Sequence, residues 1–259
     1  MSRSLSFDRA AAIYDRTRVT DDLALAGAVD LLDRVLVAGP TLEIGVGTGA
    51  LAVPLAARGR PIVGVDISSP MLARLREKDP DRRIRVAVAD ATRLPFPDRT
   101  FAGAYCRWVL HLIDGWADAV RELCRVLRSG GTIVVEPGGY AGEWRTVWLR
   151  FVEELGSPAE PLGLDVRGGY VDLDAVFASC GATSRELART PASVDSSLDR
   201  FFEEAAAKTY SWTWRVPDDE LQRAVAVVRA WAIDRYGPEL DEPFEPDAPH
   251  LWRVYDLGA

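Results

Sequence analysis

The chain has 259 residues, 48% of them hydrophobic and 27% charged, which is ordinary for a globular protein able to bury a core in one large α/β domain or two small ones. Its 31 basic and 39 acidic residues give a net charge of −8 with no basic run, which argues against nucleic acid as a partner. Three widely spaced cysteines without a CxxC pair and two histidines argue against a metal site or a disulfide framework; no apolar run reaches membrane-spanning length and the opening MSRSLSFDRAAA lacks a signal-peptide core, so a cytoplasmic protein with no membrane partner is expected.

Residues 7–18, FDRAAAIYDRTR, are amphipathic and predict a helix, and residues 23–37 predict another that leads into the first strand. Residues 41–57, TLEIGVGTGALAVPLAA, read as a short apolar strand, a glycine turn and a helix. Gly45, Gly47 and Gly49 permit positive φ and remove the Cβ that would block a ligand lying on the loop. The helix that follows is expected to point its unpaired N–H groups and positive dipole end at the same place. Together these make a nucleotide-type cofactor site.

Gly45, Gly47 and Ala50 also fit the G-x-G-x-x-G/A pattern of dinucleotide enzymes. Glu43, at the strand end, tips the choice, because a carboxylate there suits an ammonium or sulfonium group and repels a pyrophosphate. Residues 61–66, PIVGVD, predict a buried parallel strand ending in Asp66, about twenty residues beyond Gly45, where a carboxylate can accept from both hydroxyls of a ribose. Ser68 or Ser69 is the expected N-cap of the next helix, with Pro70 in its first turn. A third strand over residues 84–89 ends at Asp90, followed by Ala91.

In the form LEIGVGTG, residues 42–49 resemble motif I of the class I S-adenosylmethionine-dependent methyltransferases. Residues 7–18 are similar to the FDxxAxxYDxxR opening of many small-molecule members, with Tyr14 and Arg18 at the matching positions. Residues 94–105, LPFPDRTFAGAY, resemble the family's LPFPDxxFD segment, with Ala102 where aspartate is usual, and residues 125–138, RVLRSGGTIVVEPG, resemble the end of its core. The resemblance is close over residues 7–138 and weak beyond. It implies S-adenosylmethionine as cofactor, S-adenosylhomocysteine as product, and no metal. It also implies that residues 7–18 fold over the cofactor, that Asp66 holds the ribose, that Ile67 packs on the adenine with Met71 close by, and that Asp90 accepts from the adenine amino group.

A fourth strand, residues 101–106, leads to Arg107, Trp108 and His111. Strand ends on this edge face the ligand crevice, which puts Cys106 and Arg107 near the methionine end and Trp108 toward the acceptor. His111 titrates in the range that suits a general base for an acceptor hydroxyl or amine, and reads equally as a structural histidine at a helix start. A helix over residues 118–127 should end on Gly130 and Gly131 as a C-cap, before a fifth strand, TIVVEP, whose Glu136 either binds a cationic acceptor group or is solvated.

Helices are expected over residues 144–155 and 173–180, strand six over 183–190 and strand seven over 250–256. The long connection, residues 191–246, carries helical stretches at 198–208 and 218–236. Between them Tyr210, Trp212 and Trp214 alternate, and in an extended segment they would share one face and wall off an acceptor.

The expected architecture is α/β: strands alternating with helices predict a doubly wound sheet, and the resemblance implies seven strands in the order 3-2-1-4-5-7-6 with the last strand antiparallel. It forms a single domain made of an N-terminal helical lid (1–38), a Rossmann-like core (39–190 and 247–259) and a helical cap (191–246). The expected function is methyl transfer to a small organic acceptor by in-line displacement, in a monomer or homodimer. The alternatives are a nicotinamide-dependent oxidoreductase and a non-catalytic cofactor-binding protein of the same fold.

Overall fold

Buried β-branched runs set the strands, and in this computed structural model, which describes residues 4–17, 22–140, 142–167, 169–186, 190, 197–244 and 251–258, they join in one sheet. Its strands are β1 (Thr41–Ile44), β2 (Ile62–Asp66), β3 (Arg85–Val88), β4 (Phe101–Arg107), β5 (Leu127–Glu136), β6 (Ala182–Glu186) and β7 (Arg253–Leu257). Their spatial order is β3-β2-β1-β4-β5-β7-β6, as expected. β1 to β5 pair in parallel, and β7 runs antiparallel between β5 and β6.

Nine helices occur among the described residues: α1 (Tyr14–Thr17), α2 (Asp22–Val35), α3 (Ala52–Ala57), α4 (Ser69–Lys78), α5 (Trp116–Val126), α6 (Gly142–Leu155), α7 (Val171–Ser179), α8 (Leu198–Ala206) and α9 (Asp218–Tyr236). None is long and apolar enough to cross a membrane. The chain divides into two compact units, one of Met1–Gly138, Leu162–Pro191 and His250–Ala259, the other of Gly139–Pro161 and Ala192–Pro249.

In the first unit each sheet face has its own apolar cluster. Leu42, Ile44, Leu123, Ile133 and Phe177 pack with α5 and α7. Leu32, Leu55, Leu75, Tyr105 and Trp252 pack with α2, α3 and α4 on the other side. Burying both faces is why the central strands read as continuous apolar runs. Ser68 caps α4, its hydroxyl accepting from the Met71 N–H at 3.3 Å, with Pro70 just inside the helix.

Two local expectations fail. Residues 7–18 do not form one helix: a 3-10 turn, Asp8–Ala10, precedes the four-residue α1. This segment is tied to neighbouring chain at several points, the Leu5 N–H to the Leu112 carbonyl at 2.9 Å among them, and follows that surface rather than one axis. Nor do Gly130 and Gly131 cap α5. The helix passes at Leu127 (φ −89, ψ 149) straight into β5. The two glycines instead absorb an irregularity between the Phe101–Leu127 and Gly103–Thr132 pairs, with Gly130 at φ 72.

The second unit is an aromatic-rich helical cluster. Trp144 and Phe151 of α6 pack with Phe201 and Phe202 of α8 and with Val228 of α9. Those contacts join α6 to the helices of the long connection, whereas the sequence grouping placed it with the core. The extended segment expected at Tyr210, Trp212 and Trp214 is a 3-10 turn, Ser211–Thr213. Trp212 lies 5.1 Å from the Phe151 ring and stacks on Tyr210 at 6.1 Å, and Tyr210 lies 5.1 Å from Phe201. The Trp214 indole N–H donates to the Lys208 carbonyl at 2.7 Å. Alternation across an extended face therefore does not hold here, and two of the three rings are part of this unit's own packing.

Trp212→Ala should accordingly destabilise the protein by about 3 kcal/mol, the usual cost of removing a large ring from a packed cluster. Chemical denaturation followed by circular dichroism measures it, and an unchanged midpoint would contradict the packing role.

Candidate cofactor-binding site

The C-terminal ends of β1, β2 and β4 open onto a cavity, the edge at which ligands bind in sheets of this kind. Gly45, Gly47, Asp66, Ile67, Met71, Asp90, Ala91, Arg107 and Trp108 line it from the core, and Tyr14 lines it from the N-terminal segment.

The glycine loop has little room for side chains. Gly45 holds φ 67, and a Cβ there would meet Val109 at 2.6 Å; Gly47 holds φ 52. The Gly47 N–H donates to one Asp66 oxygen at 2.9 Å and the Ser68 N–H to the other at 2.8 Å. Burial raises the Asp66 pKa even though these N–H groups favour its charge. Asp90 accepts from the Thr92 N–H at 2.9 Å and its hydroxyl at 2.8 Å, which fixes the turn after β3. Ile67 keeps an exposed apolar side chain and Met71 is buried behind the loop. These are the parts expected for a nucleoside: a carboxylate for a diol, apolar faces for a base and an acid for an amino group.

Three expected cofactor residues lie elsewhere. Gly49 does not line the cavity; at φ 83, a Cβ on it would meet Leu75 of α4 at 3.0 Å, so it serves packing. Successive strand residues face opposite sides. Arg107 therefore faces the cavity, whereas Cys106 packs in the core with Leu42 and Ile44, its thiol pushed up by burial. Glu43 is also buried and off the lining. It accepts from the Tyr105 hydroxyl at 2.7 Å across the β1–β4 pair. Burial pushes its pKa up to about 8, so it is mostly uncharged at neutral pH and cannot itself exclude a pyrophosphate. Arg18 lies outside the described residues. The dipole expectation weakens too, because α3 has only six residues and no side-chain cap.

Beside the cavity, Glu136 binds both Arg107 (Nε to Oε2, 2.8 Å) and the Trp108 indole N–H (2.6 Å to Oε1). The Arg107 and Glu136 side chains are 8% and 4% exposed, so this is a buried, charge-compensated pair and not a solvated acid. The Arg107 guanidinium lies 4.0 Å over the Trp108 ring. Trp108 itself holds φ 55, a costly conformation for a bulky residue. His111 sits in the 3-10 turn Leu110–Leu112 and does not line the cavity; a Cβ on Gly138 would lie 3.5 Å from its ring.

Sequence reasoning missed the anchors of the N-terminal segment. The Thr48 hydroxyl of the glycine loop donates to Asp15 at 2.6 Å, and Lys78 of α4 pairs with the same carboxylate at 2.7 Å. The Ser68 and Ser6 hydroxyls hold Asp8 below its ordinary pKa. The only signal was that Asp15 adjoins Tyr14. A donor from one segment to an acceptor 33 positions earlier leaves no periodic trace.

Residues 42–135 match a family model described as a methyltransferase domain. The demethylmenaquinone methyltransferase of Thermus thermophilus is 40% identical over 125 residues, 44% of this chain and 57% of that protein. The YcgJ protein of Bacillus subtilis superposes with a TM-score of 0.64 at 19% identity, over 91% of this chain and 98% of that one. Residues 42–135 are thus a methyltransferase domain, similar to those of the class I S-adenosylmethionine-dependent family. The chain spans about half the length of the curated relatives it matches. The fold of this methyltransferase core is also that of the [4+2]-cyclase SpnF, with a TM-score of 0.61 at 20% identity over 98% of this chain and 94% of that one, so fold alone does not name a reaction.

The buried Glu43 makes stability depend on pH. Its folded pKa is raised, so its contribution is full below about pH 4.5 and is lost as pH rises through about 8. Glu43→Gln, which carries no charge, should match the wild type in melting temperature near pH 5 and exceed it above pH 8. Parallel melting curves across that range would contradict the buried, protonated carboxyl.

Proposed function

We propose that this methyltransferase core binds S-adenosylmethionine in the β1–β2–β4 cavity and transfers its methyl group to a small organic acceptor. The observation that carries the reading is Asp66, held by the Gly47 and Ser68 N–H groups on a cavity lining it shares with the glycine loop and the apolar pair Ile67 and Met71. Asp66 would hold the ribose hydroxyls, Ile67 and Met71 the adenine faces and Asp90 its amino group. Tyr14 and Arg107 would lie toward the methionine end.

The bound cofactor supplies a methyl group already activated by a positive sulfur. The chain's task is to align the acceptor and keep water away. Leu5, Phe7 and Tyr14 line the cavity from the N-terminal segment, and the Asp15 bonds to Thr48 and Lys78 hold that segment against the loop and α4. The Arg107–Glu136–Trp108 cluster fixes the wall after β4. An acceptor that must lose a proton needs a base, and His111 is the titratable candidate in the turn after β4, although it stays off the lining. A small, partly apolar acceptor, quinone-like among the possibilities, is supported by the Thermus relative named for demethylmenaquinone.

Losing a charge-assisted hydrogen bond costs roughly 1.5–3 kcal/mol, about ten-fold or more in affinity. Asp66→Ala should therefore weaken S-adenosylhomocysteine binding at least ten-fold while the protein stays folded. Calorimetry on both proteins, with NAD as a control ligand that should not bind, tests the assignment. Unchanged affinity in the folded variant, or tighter binding of NAD, would overturn it. Mass spectrometry after incubation with acceptor panels then looks for the gain of one methyl.

Removing the anchor should act differently. Asp15→Ala should raise the dissociation rate of S-adenosylhomocysteine more than it lowers the association rate, because the N-terminal segment loses its tie to Thr48 and Lys78. Stopped-flow binding measures both, and a wild-type dissociation rate would remove the segment from the cofactor's retention.

A further inference from the structure

Cys124 and Cys180 are far apart in sequence, but the fold brings them to one surface cavity on the first unit, away from the cofactor site. Cys124 lies on α5, and Cys180 follows the last turn of α7. Leu123 beside Cys124 and Phe177 one turn before Cys180 share one apolar cluster, which fixes the two elements against each other. Both cysteines are free and half-buried on the wall of that one cavity. Asp98, Arg125 and Gly181 are among the other residues that line the cavity, which is open to solvent. The third cysteine, Cys106, is 1% exposed on the sheet and belongs to neither.

We propose that Cys124 and Cys180 form a dithiol site that a small disulfide oxidant closes to an intramolecular disulfide. Two packed elements that bring two free thiols to the wall of one surface cavity are where such a bond can form. In the first step the Cys180 thiolate attacks one sulfur of oxidised glutathione; the oxidant's S–S bond breaks and glutathione thiolate leaves. In the second, Cys124 gives up its proton and attacks the Cys180 sulfur of the mixed disulfide, expelling the second glutathione. Two protein thiols are oxidised, one glutathione disulfide is reduced, and both protons end on glutathione. Burial, with a smaller contribution from Cys180, pushes the Cys124 thiol up, which keeps it protonated and leaves the first attack to Cys180; the second step is slow unless the mixed-disulfide sulfur is held beside Cys124. The bond would tie α7 to α5. Arg125, next to Cys124, bonds the Phe96 carbonyl at 2.8 Å and Asp98 at 2.7 Å, so the tie reaches the loop before β4.

The test needs no acceptor or cofactor. Native full-length protein is treated with oxidised glutathione, unfolded, alkylated and weighed. Wild type should fall from three alkylatable thiols to one, at Cys106, with a cross-linked peptide pair holding Cys124 and Cys180 and no glutathione adduct; dithiothreitol should restore all three. Cys124→Ser should stop at the first step and retain a glutathione adduct on Cys180. Three alkylatable thiols in treated wild type, a persistent adduct without ring closure, or a cross-link only between molecules would each overturn the proposal.

Discussion

The Asp66 carboxylate is the point on which the first unit's functional edge depends. One of its oxygens collects the Gly47 N–H, which sets the conformation of the glycine loop, and the other collects the Ser68 N–H at the start of α4. The Ser68 hydroxyl caps the helix and also reaches Asp8 of the N-terminal segment. One side chain thus ties together a loop, a helix start and, through Ser68, the segment lining the cavity. Burying a carboxylate is costly, and donated N–H groups are what make it tolerable at this position. The same bonds fix the orientation of the group in advance of any ligand, so little ordering is left to do on binding.

This explains what could be read in the chain and what could not. Strand identity and the Ser68–Pro70 start of α4 follow from local patterns (apolar runs, a capping hydroxyl and an acid at a strand end), whereas the strand order came from the family resemblance. Asp66, Asp90, Gly45 and Gly47 were legible for that reason. Side-chain direction at strand ends is also local, and applying alternation there separates Arg107 from Cys106. Treating both as cavity residues overlooked that a strand cannot turn two successive side chains to one side. Glu43 failed differently. Its place on β1 was evident, but its charge state is set by burial inside the assembled sheet, which the hydrogen bond from Tyr105 on the paired strand only partly offsets.

The illegible features have one property in common, that each is made by residues far apart in sequence meeting on packed elements. Asp15 meets Thr48 and Lys78, Arg125 ties the segment around Phe96 and Asp98, and Cys124 and Cys180 line one cavity. The aromatic run around Trp212 is the converse case. Its alternation suggested an extended face, yet a ring gains more by packing against Phe151 and Tyr210 than by holding a period-two backbone, and the segment coils into a 3-10 turn.

The charges on the cavity lining bear on the discrimination first assigned to Glu43. Asp66 and Asp90 line the cavity, and the Coulomb effect of Asp8 is felt at Asp66. The cation on the lining, Arg107, is compensated by a buried bond to Glu136, so it offers donors and an apolar flank more than net positive field. A pyrophosphate brought there would meet two carboxylates and an already paired guanidinium. A ligand with a sulfonium or ammonium centre would meet the opposite, in partly buried surroundings where such terms are little screened. Compensation also keeps Trp108 in its strained left-handed backbone, because Glu136 holds the indole N–H and the neighbouring guanidinium through its two oxygens. The cavity wall therefore rests on a buried pair whose loss would leave one charge unpaired and a strained residue unsupported. This cost makes Glu136 a structural constraint on the site and not an acid left over for an acceptor.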